Sequence, residues 1–333
     1  MTRRRFFTTA LSHLRLVALL SGTVLTLAGT GCTPSNNAGG GTGTSSASPA
    51  PEATAGGGGT KLVIEGSDTL LELAQKWAEE YKKKNSSVDI TVTGGGSGQG
   101  ITSLINGTAD IADASREVSE KEKTQAKDKG VTLVETPVAR DGITIVVHPS
   151  NPVKSLTLEQ VASIYTGKVK NWKDVGGPDL VITASGRDTA SGTYKYFQED
   201  VLKKEEYRAD MKSTPSNNAI AGNVSNEKGG IGYIGVAQAA EFTKEGKLKE
   251  VAIAFKAGEA PVLPTPETIL SGKYPISRAL YNYTRGEPEG VSKEYLSFVT
   301  GPEGQKIVEE IGFVTLSKSG AAAPPGPGSA KKP

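Results

Sequence analysis

VDITVTGGGSGQGITSLI, residues 88–105, is the stretch on which the reading of the fold turns. Val88–Thr93 alternates apolar and polar side chains with the period of a half-buried strand. The seven-residue loop Gly94–Gly100 ends that alternation, and Ile101, Leu104 and Ile105 then recur at helical spacing. The same unit precedes it. Lys61–Glu65 (KLVIE) is β-rich, Gly66–Thr69 is a turn rich in capping residues, and Leu70, Leu71, Ala74, Trp77, Ala78 and Tyr81 repeat with helical period. It also follows, with Ala109–Ala114 as a short strand ending at Ser115-Arg116 before the charged helix Glu117–Lys129. Such alternation predicts an α/β sheet with helices on both faces, and ligands that bind outside the carboxyl ends of its strands.

Farther along, the apolar strand Gly142–His148 is broken by Pro149-Ser150-Asn151-Pro152, and the pattern restarts. Thr157 and Gln160 form a capping box for a helix to Tyr165. Leu180–Ala184 reads as a strand, and the turn Ser185–Thr193 leads to a helix from Tyr194. Gly229–Gly235, Glu250–Phe255 and Ala279–Thr284 are further strands, and one final helix covers about Lys293–Glu310. The chain therefore divides into two α/β units joined at two crossings, one near His148 and a return within Tyr274–Tyr283. Lobe 1 is expected over 60–145 and 278–318, and lobe 2 over 146–277.

The ends read differently. Arg3, Arg4 and Arg5 begin a segment whose apolar run, Leu16–Gly29, is too short for a membrane span and fits an export signal over 1–31. Thr2–Phe7 also resembles a twin-arginine export motif. The run closes on Leu27-Ala28-Gly29-Thr30-Gly31-Cys32, which resembles a lipobox, with Cys32 as the lipidated residue. Residues 32–59 are a Gly/Ser/Pro tether by composition, and 319–333 a disordered tail.

Composition excludes several functions. Four arginines and no acid lie in residues 1–31, which outweighs the formal charge of +2, so the remainder carries no basic field for nucleic acid. One cysteine rules out a disulfide framework and a cysteine-based zinc site. His148 is the only histidine beyond the export segment, which rules out a histidine-rich metal centre and leaves a Ser-His-Asp site without support. Catalysis and a cofactor are not expected.

Three Gly/Ser/Thr turns, Gly66–Thr69, Gly94–Gly100 and Ser191–Thr193, each open a helix, where unpaired N–H groups favour anions. Taken singly, each is also ordinary capping structure. The nucleotide motifs fail: Ile101 stands where a P-loop needs lysine, and no glycine trio has the dinucleotide spacing. Six arginines beside 28 lysines follow the export segment, and two of them stand out: Arg116 follows Ser115 at a strand end, and Arg187 precedes Ser191-Gly192-Thr193. Arginine can fork onto two oxygens of a tetrahedral anion. The alternative partners are carboxylates: Glu117 or Glu120 for Arg116, and Asp188 for Arg187. Trp172 reads as packed beneath a loop, with a partner contact as the alternative.

GSDTL (66–70), GGGSGQG (94–100), ASREV (114–118), ARDGI (139–143), GRDTASGTY (186–194) and YPISRALYNYT (274–284) occur in the order in which they stand in bacterial phosphate-binding lipoproteins. The chain resembles this family, the solute-binding components of phosphate ABC importers, from about Lys61 to Leu316. The resemblance implies a two-lobed periplasmic-binding-protein (type II) α/β fold with two hinge crossings. It implies a phosphate site built from Ser67, Asp68, Thr69, Ser97, Gly98, Ser115, Arg116 and Asp141 in lobe 1 and Arg187, Ser191, Gly192 and Thr193 in lobe 2. Best-studied members carry an aspartate near the place of Ser115-Arg116. Its absence here moves the carboxylate role to Asp141, with Asp68 the competitor unless it caps its helix. The expected partners are inorganic phosphate, the ABC permease and, through Cys32, a membrane. The protein is expected to be an exported, lipid-anchored monomer facing the periplasm or cell exterior, without nucleic acid, metal or catalysis.

One carboxylate suffices to separate phosphate from sulfate. It accepts a hydrogen bond from the proton that phosphate keeps at neutral pH and meets only lone pairs on sulfate, a mismatch worth about 10⁴–10⁵ in discrimination. Binding of sulfate or molybdate, or phosphate sensing at the cell surface without a permease, remain the alternatives.

Overall fold

The computed structural model describes residues 60–316. The export signal, Cys32, the tether and the tail 319–333 lie outside those residues. The first part runs β1 (Thr60–Gly66), α1 (Leu71–Lys84), β2 (Val88–Thr93), α2 (Ser97–Asn106), β3 (Ile111–Ala114) and α3 (Glu120–Asp128). β1 pairs in parallel with β2 and β3. α1 buries Leu73, Ala74, Trp77, Ala78 and Tyr81, the stripe expected from helical spacing. α3 opens on a capping box between Ser119 and Glu122.

α2 departs from expectation by starting at Ser97, so the last four residues of the glycine loop form its first turn. Packing overrides the poor helix propensity of glycine here. A Cβ on Gly100 would stand 2.2 Å from the Glu65 carbonyl oxygen, so only glycine lets the turn lie against β1.

β4 (Leu133–Val147) follows, then β5 (Ser155–Thr157), α4 (Leu158–Tyr165), β6 (Thr183–Arg187), α5 (Gly192–Tyr196), β7 (Lys212–Thr214) and α6 (Asn217–Asn226). β8 (Gly230–Gly235), α7 (Val236–Lys244), β9 (Lys249–Ala254), α8 (Pro266–Leu270), β10 (Ser277–Arg285), α9 (Gly290–Thr300) and α10 (Pro302–Ile311) complete the chain. The strands form one path, β2-β1-β3-β10-β4-β8-β6-β7, with β9 on β4 and β5 on β9.

β4 begins earlier than its apolar run suggests and carries two sets of partners. Residues 133–142 pair antiparallel with β10, whereas 143–147 pair with β8 and β9. Pro137, which lacks an N–H for the ladder, is accommodated where the register with β10 shifts between Leu280 and Tyr281. The two largest apolar clusters lie to either side of the partner change. One holds Ile145, Trp172, Phe197 and Tyr233, the other Leu62, Trp77, Leu280 and Tyr295. Trp172 is fully buried and donates Nε1–H to the Gly229 carbonyl at 3.0 Å, so it is core beneath a loop.

Two further boundaries move. β6 spans 183–187 rather than 180–184, which puts Arg187 at a strand end, while Val181 bridges Asn171. The final helix is two helices, α9 and α10, because Pro302 cannot continue the first and instead opens the second.

Candidate functional site

The ends of β1, β3 and β6 and the N-termini of α2 and α5 converge on the residues expected to form the site. Ser67 follows β1, donates its N–H to the Asp113 carbonyl at 2.9 Å, and accepts the Thr69 N–H on its hydroxyl at 3.2 Å. Ser97, the first residue of α2, accepts the Ser115 N–H at 3.0 Å, and the two hydroxyls lie 3.3 Å apart. Gly98 donates its N–H to the Ala190 carbonyl at 3.2 Å, joining the glycine loop to the turn before α5. On that turn Ser191 caps α5, its hydroxyl accepting the N–H groups of Thr193 and Tyr194. Thr193 Oγ1 stands 3.1 Å from Thr69 Oγ1. Gly192 approaches so closely that a Cβ there would lie 2.3 Å from Ser97 Oγ and 2.5 Å from Ser115 Oγ.

The charged residues are arranged less as expected. Arg116 forks onto Glu122 through two 2.8 Å bonds and donates to the Glu117 carbonyl, so its carboxylate partner is neither Glu117 nor Glu120. Burial raises the Glu122 carboxyl and the Arg116 guanidinium lowers it, with a net fall below the usual value. Arg187 ignores its neighbour Asp188 and binds Asp68 Oδ2 at 2.6 Å and the Pro215 carbonyl at 2.9 Å. Asp68 Oδ1 accepts the Gly95 N–H at 3.0 Å. Asp68 therefore pins the glycine loop to Arg187, and α1 has no side-chain cap. The Nε atoms of Arg116 and Arg187 are buried without a hydrogen-bond partner.

Asp141 is 1% exposed and bonds Arg278 through Oδ2, to Nε at 3.2 Å and Nη2 at 2.8 Å. Its Oδ1 is buried with no partner. Burial pushes this carboxyl above its ordinary value, and the Arg278 guanidinium opposes the rise. Arg278 is the site residue that pattern reading missed. It reaches the Ser115 carbonyl at 2.9 Å, Thr193 Oγ1 at 2.9 Å and Thr69 Oγ1 at 3.4 Å. The available signal was its place in the motif YPISRALYNYT, as one of six arginines in a lysine-rich chain.

The arrangement gathers six hydroxyls, guanidinium donors and one carboxylate with a free oxygen. That set can surround a small oxyanion carrying a proton. His148 lies outside it, its Nδ1 2.8 Å from Ser150 Oγ in a local turn. Among the described residues there is no cluster of three His, Cys, Asp or Glu able to hold a metal.

A PBP superfamily domain matches residues 47–303. Over 260 residues the chain is 37% identical to the phosphate-binding protein PstS of Staphylococcus epidermidis, covering 76% of this chain and 78% of that protein. A crystal structure with bound phosphate, assigned as a phosphate ABC transporter substrate-binding protein from Clostridium perfringens, superimposes with a TM-score of 0.69 at 32% identity. It covers 77% of this chain and 100% of that one. An ABC-type phosphate transport receptor from Vibrio cholerae aligns with a TM-score of 0.63 at 28% identity, over 77% of this chain and 100% of its own.

Proposed function

Because the chain belongs to the PstS phosphate-binding proteins of the PBP superfamily, we propose that it binds inorganic phosphate between the two halves of its sheet and delivers it to a membrane ABC permease. Its α/β fold is the periplasmic-binding-protein fold, and its role is binding rather than catalysis. The observation that carries the reading is Asp141, a buried carboxylate with one oxygen held by Arg278 and the other without a partner, among hydroxyls from both halves.

A dehydrated anion needs nearly every oxygen hydrogen-bonded. The donors we assign are the hydroxyls of Ser67, Thr69, Ser97, Ser115, Ser191 and Thr193, the backbone at Gly98 and Gly192, and the guanidinium groups of Arg116 and Arg187. Asp141 is the acceptor that reads the phosphate proton. Asp68 acts as a clamp on Arg187, which its two bonds support. We place the hinge between the lobes, 60–145 with 278–318 and 146–277, within a few residues of the point where β4 exchanges β10 for β8, between Gly142 and Ile143. Closure of the lobes on the anion is the state a permease reads. The protein is exported, tethered through lipid on Cys32, and works as a monomer.

Calorimetric titration of the protein, unfolded and refolded to strip anion, tests the ligand. The expected result is one-to-one phosphate binding that excess sulfate leaves undisturbed. Heat with sulfate or molybdate alone would keep the fold and overturn the ligand.

A further inference from the structure

Arg278 and Asp141 stand directly opposite each other on β10 and β4. Cross-strand neighbours of opposite charge attract on any sheet, but this pair is set apart by where it lies. β4 changes partners one residue beyond Asp141, so the pair occupies the strands through which the two halves are joined. The Arg278 side chain is 2% exposed and its guanidinium carbon sits 5.6 Å from the centre of the Tyr196 ring. Its bonds reach Thr69 and Ser115 on one side and Thr193 on the other. Both of its bonds to Asp141 end on Oδ2.

We infer that Arg278 is the positioning residue that decides which oxyanion the site accepts, because it holds Asp141 as a carboxylate with Oδ2 occupied and Oδ1 free. The inference rests on the phosphate reading above and goes one step behind it, from the selecting group to what keeps that group charged. Few other groups could do so. The phenols of Tyr196 and Tyr274 face Asp141, and burial raises both, so they stay neutral. Gln238 and Gly235 on the α7 side carry no charge, and a Cβ on Gly235 would stand 3.4 Å from both Asp141 oxygens. The N–H groups of Val236 and Gly142 favour the ionised form, yet neither makes a hydrogen bond of ordinary geometry to Oδ1. Arg278 is therefore the one positive charge paired with Asp141 among the described residues.

Without that charge, a fully buried carboxyl takes up a proton. A protonated Asp141 is a donor, and a donor suits the bare oxygens of sulfate while losing the phosphate proton it was placed to accept. Removing Arg278 should thus erase selectivity at low pH and return it as pH rises far enough to ionise Asp141 again. A merely structural arginine would lower both affinities together at every pH.

The test is competition calorimetry with phosphate and sulfate from pH 5.5 to 9 on wild type, R278Q and R278K. Relative to wild type at each pH, the phosphate-to-sulfate affinity ratio of R278Q should fall at least about 100-fold at pH 5.5 and recover toward pH 9, part of the 10⁴–10⁵ that such a site can supply. R278K keeps the charge and loses the fork, so the ratio should persist while both affinities fall. An unchanged R278Q ratio across the pH range overturns the inference, and wild type without phosphate preference removes its premise. Should R278Q fail to fold, D141N and D141N/R278Q carry the test. They should share one ratio, independent of pH beyond the titration of phosphate itself. A further loss of ratio in the double variant means Arg278 acts by a route other than Asp141, and overturns the proposal.

Discussion

Each of the three arginines around the candidate site arrives with its own carboxylate: Arg116 with Glu122, Arg187 with Asp68 and Arg278 with Asp141. These buried pairs largely cancel, so on our reading the grip on a phosphate comes from oriented hydrogen-bond donors more than from surplus positive charge. Selectivity then falls to the one acceptor. Asp141→Asn keeps the shape of that side chain but presents an amide that can turn its N–H₂ toward an anion oxygen. We expect the phosphate-over-sulfate preference to drop by at least about 100-fold, within the range available to an unpaired buried polar group. Calorimetry with both anions reads the ratio directly, and equal preference before and after would take Asp141 out of the site. At this scale a motif surrounds Arg187, Asp141 and Arg278 alike, and the first two were singled out from it. Arg278 was not, since its contacts are with groups that the chain brings from 137, 163 and 85 residues away.

Among the elements, the turn before α5 fits against the start of α2 with no room for a methyl group. A Cβ at Gly192 would overlap the Ser97 and Ser115 hydroxyls, which come from the other side of the partner change in β4. Gly192→Ala should therefore force the two turns apart, lowering ligand-free stability by about 1–3 kcal/mol and weakening phosphate by about 10- to 100-fold, the scale of overpacking a tight contact. Scanning and titration calorimetry separate the two effects, and unaltered affinity would mean this contact plays no part in binding. β3 carries a different pressure. Asp113 is buried and accepts a hydrogen bond from Asn282 on β10. Burial raises its carboxyl to about 7, although the Asn282 bond works the other way. The fold thus keeps a proton that the unfolded chain releases near pH 4, and wild-type stability should fall as pH climbs from about 4 to 7, by at most about 1.4 kcal/mol per unit. Asp113→Asn should flatten that slope in denaturant titrations, and an identical slope would show that Asp113 ionises freely in the fold. The sequence revealed β3 as a strand but not this burden, because a four-residue strand does not disclose what covers its face.

For the whole molecule, binding should be nearly silent in intrinsic tryptophan emission. Trp77 and Trp172 are fully buried in separate apolar clusters, and each donates its ring N–H to a backbone carbonyl, of Gly304 and Gly229 respectively. A hinge motion that leaves both clusters intact does not alter these surroundings. Phosphate at 1,000 times its dissociation constant should meanwhile stabilise the protein by about 4.1 kcal/mol. Thermal melts beside an emission titration check both, and a large emission shift would mean the cores repack. The sequence by itself determined the α/β alternation, the glycine turns that open helices and the anion-binding composition at the strand ends. Each of these is written within about ten consecutive residues, in hydrophobic period and turn chemistry. Only the tertiary structure decided which carboxylate each arginine meets, where β4 exchanges partners, and that Arg278 joins both halves. Arg187 and Asp68 are 119 residues apart, and Arg278 and Asp141 are 137. No local pattern encodes such pairs, because they arise from how the strands are ordered and packed across the sheet.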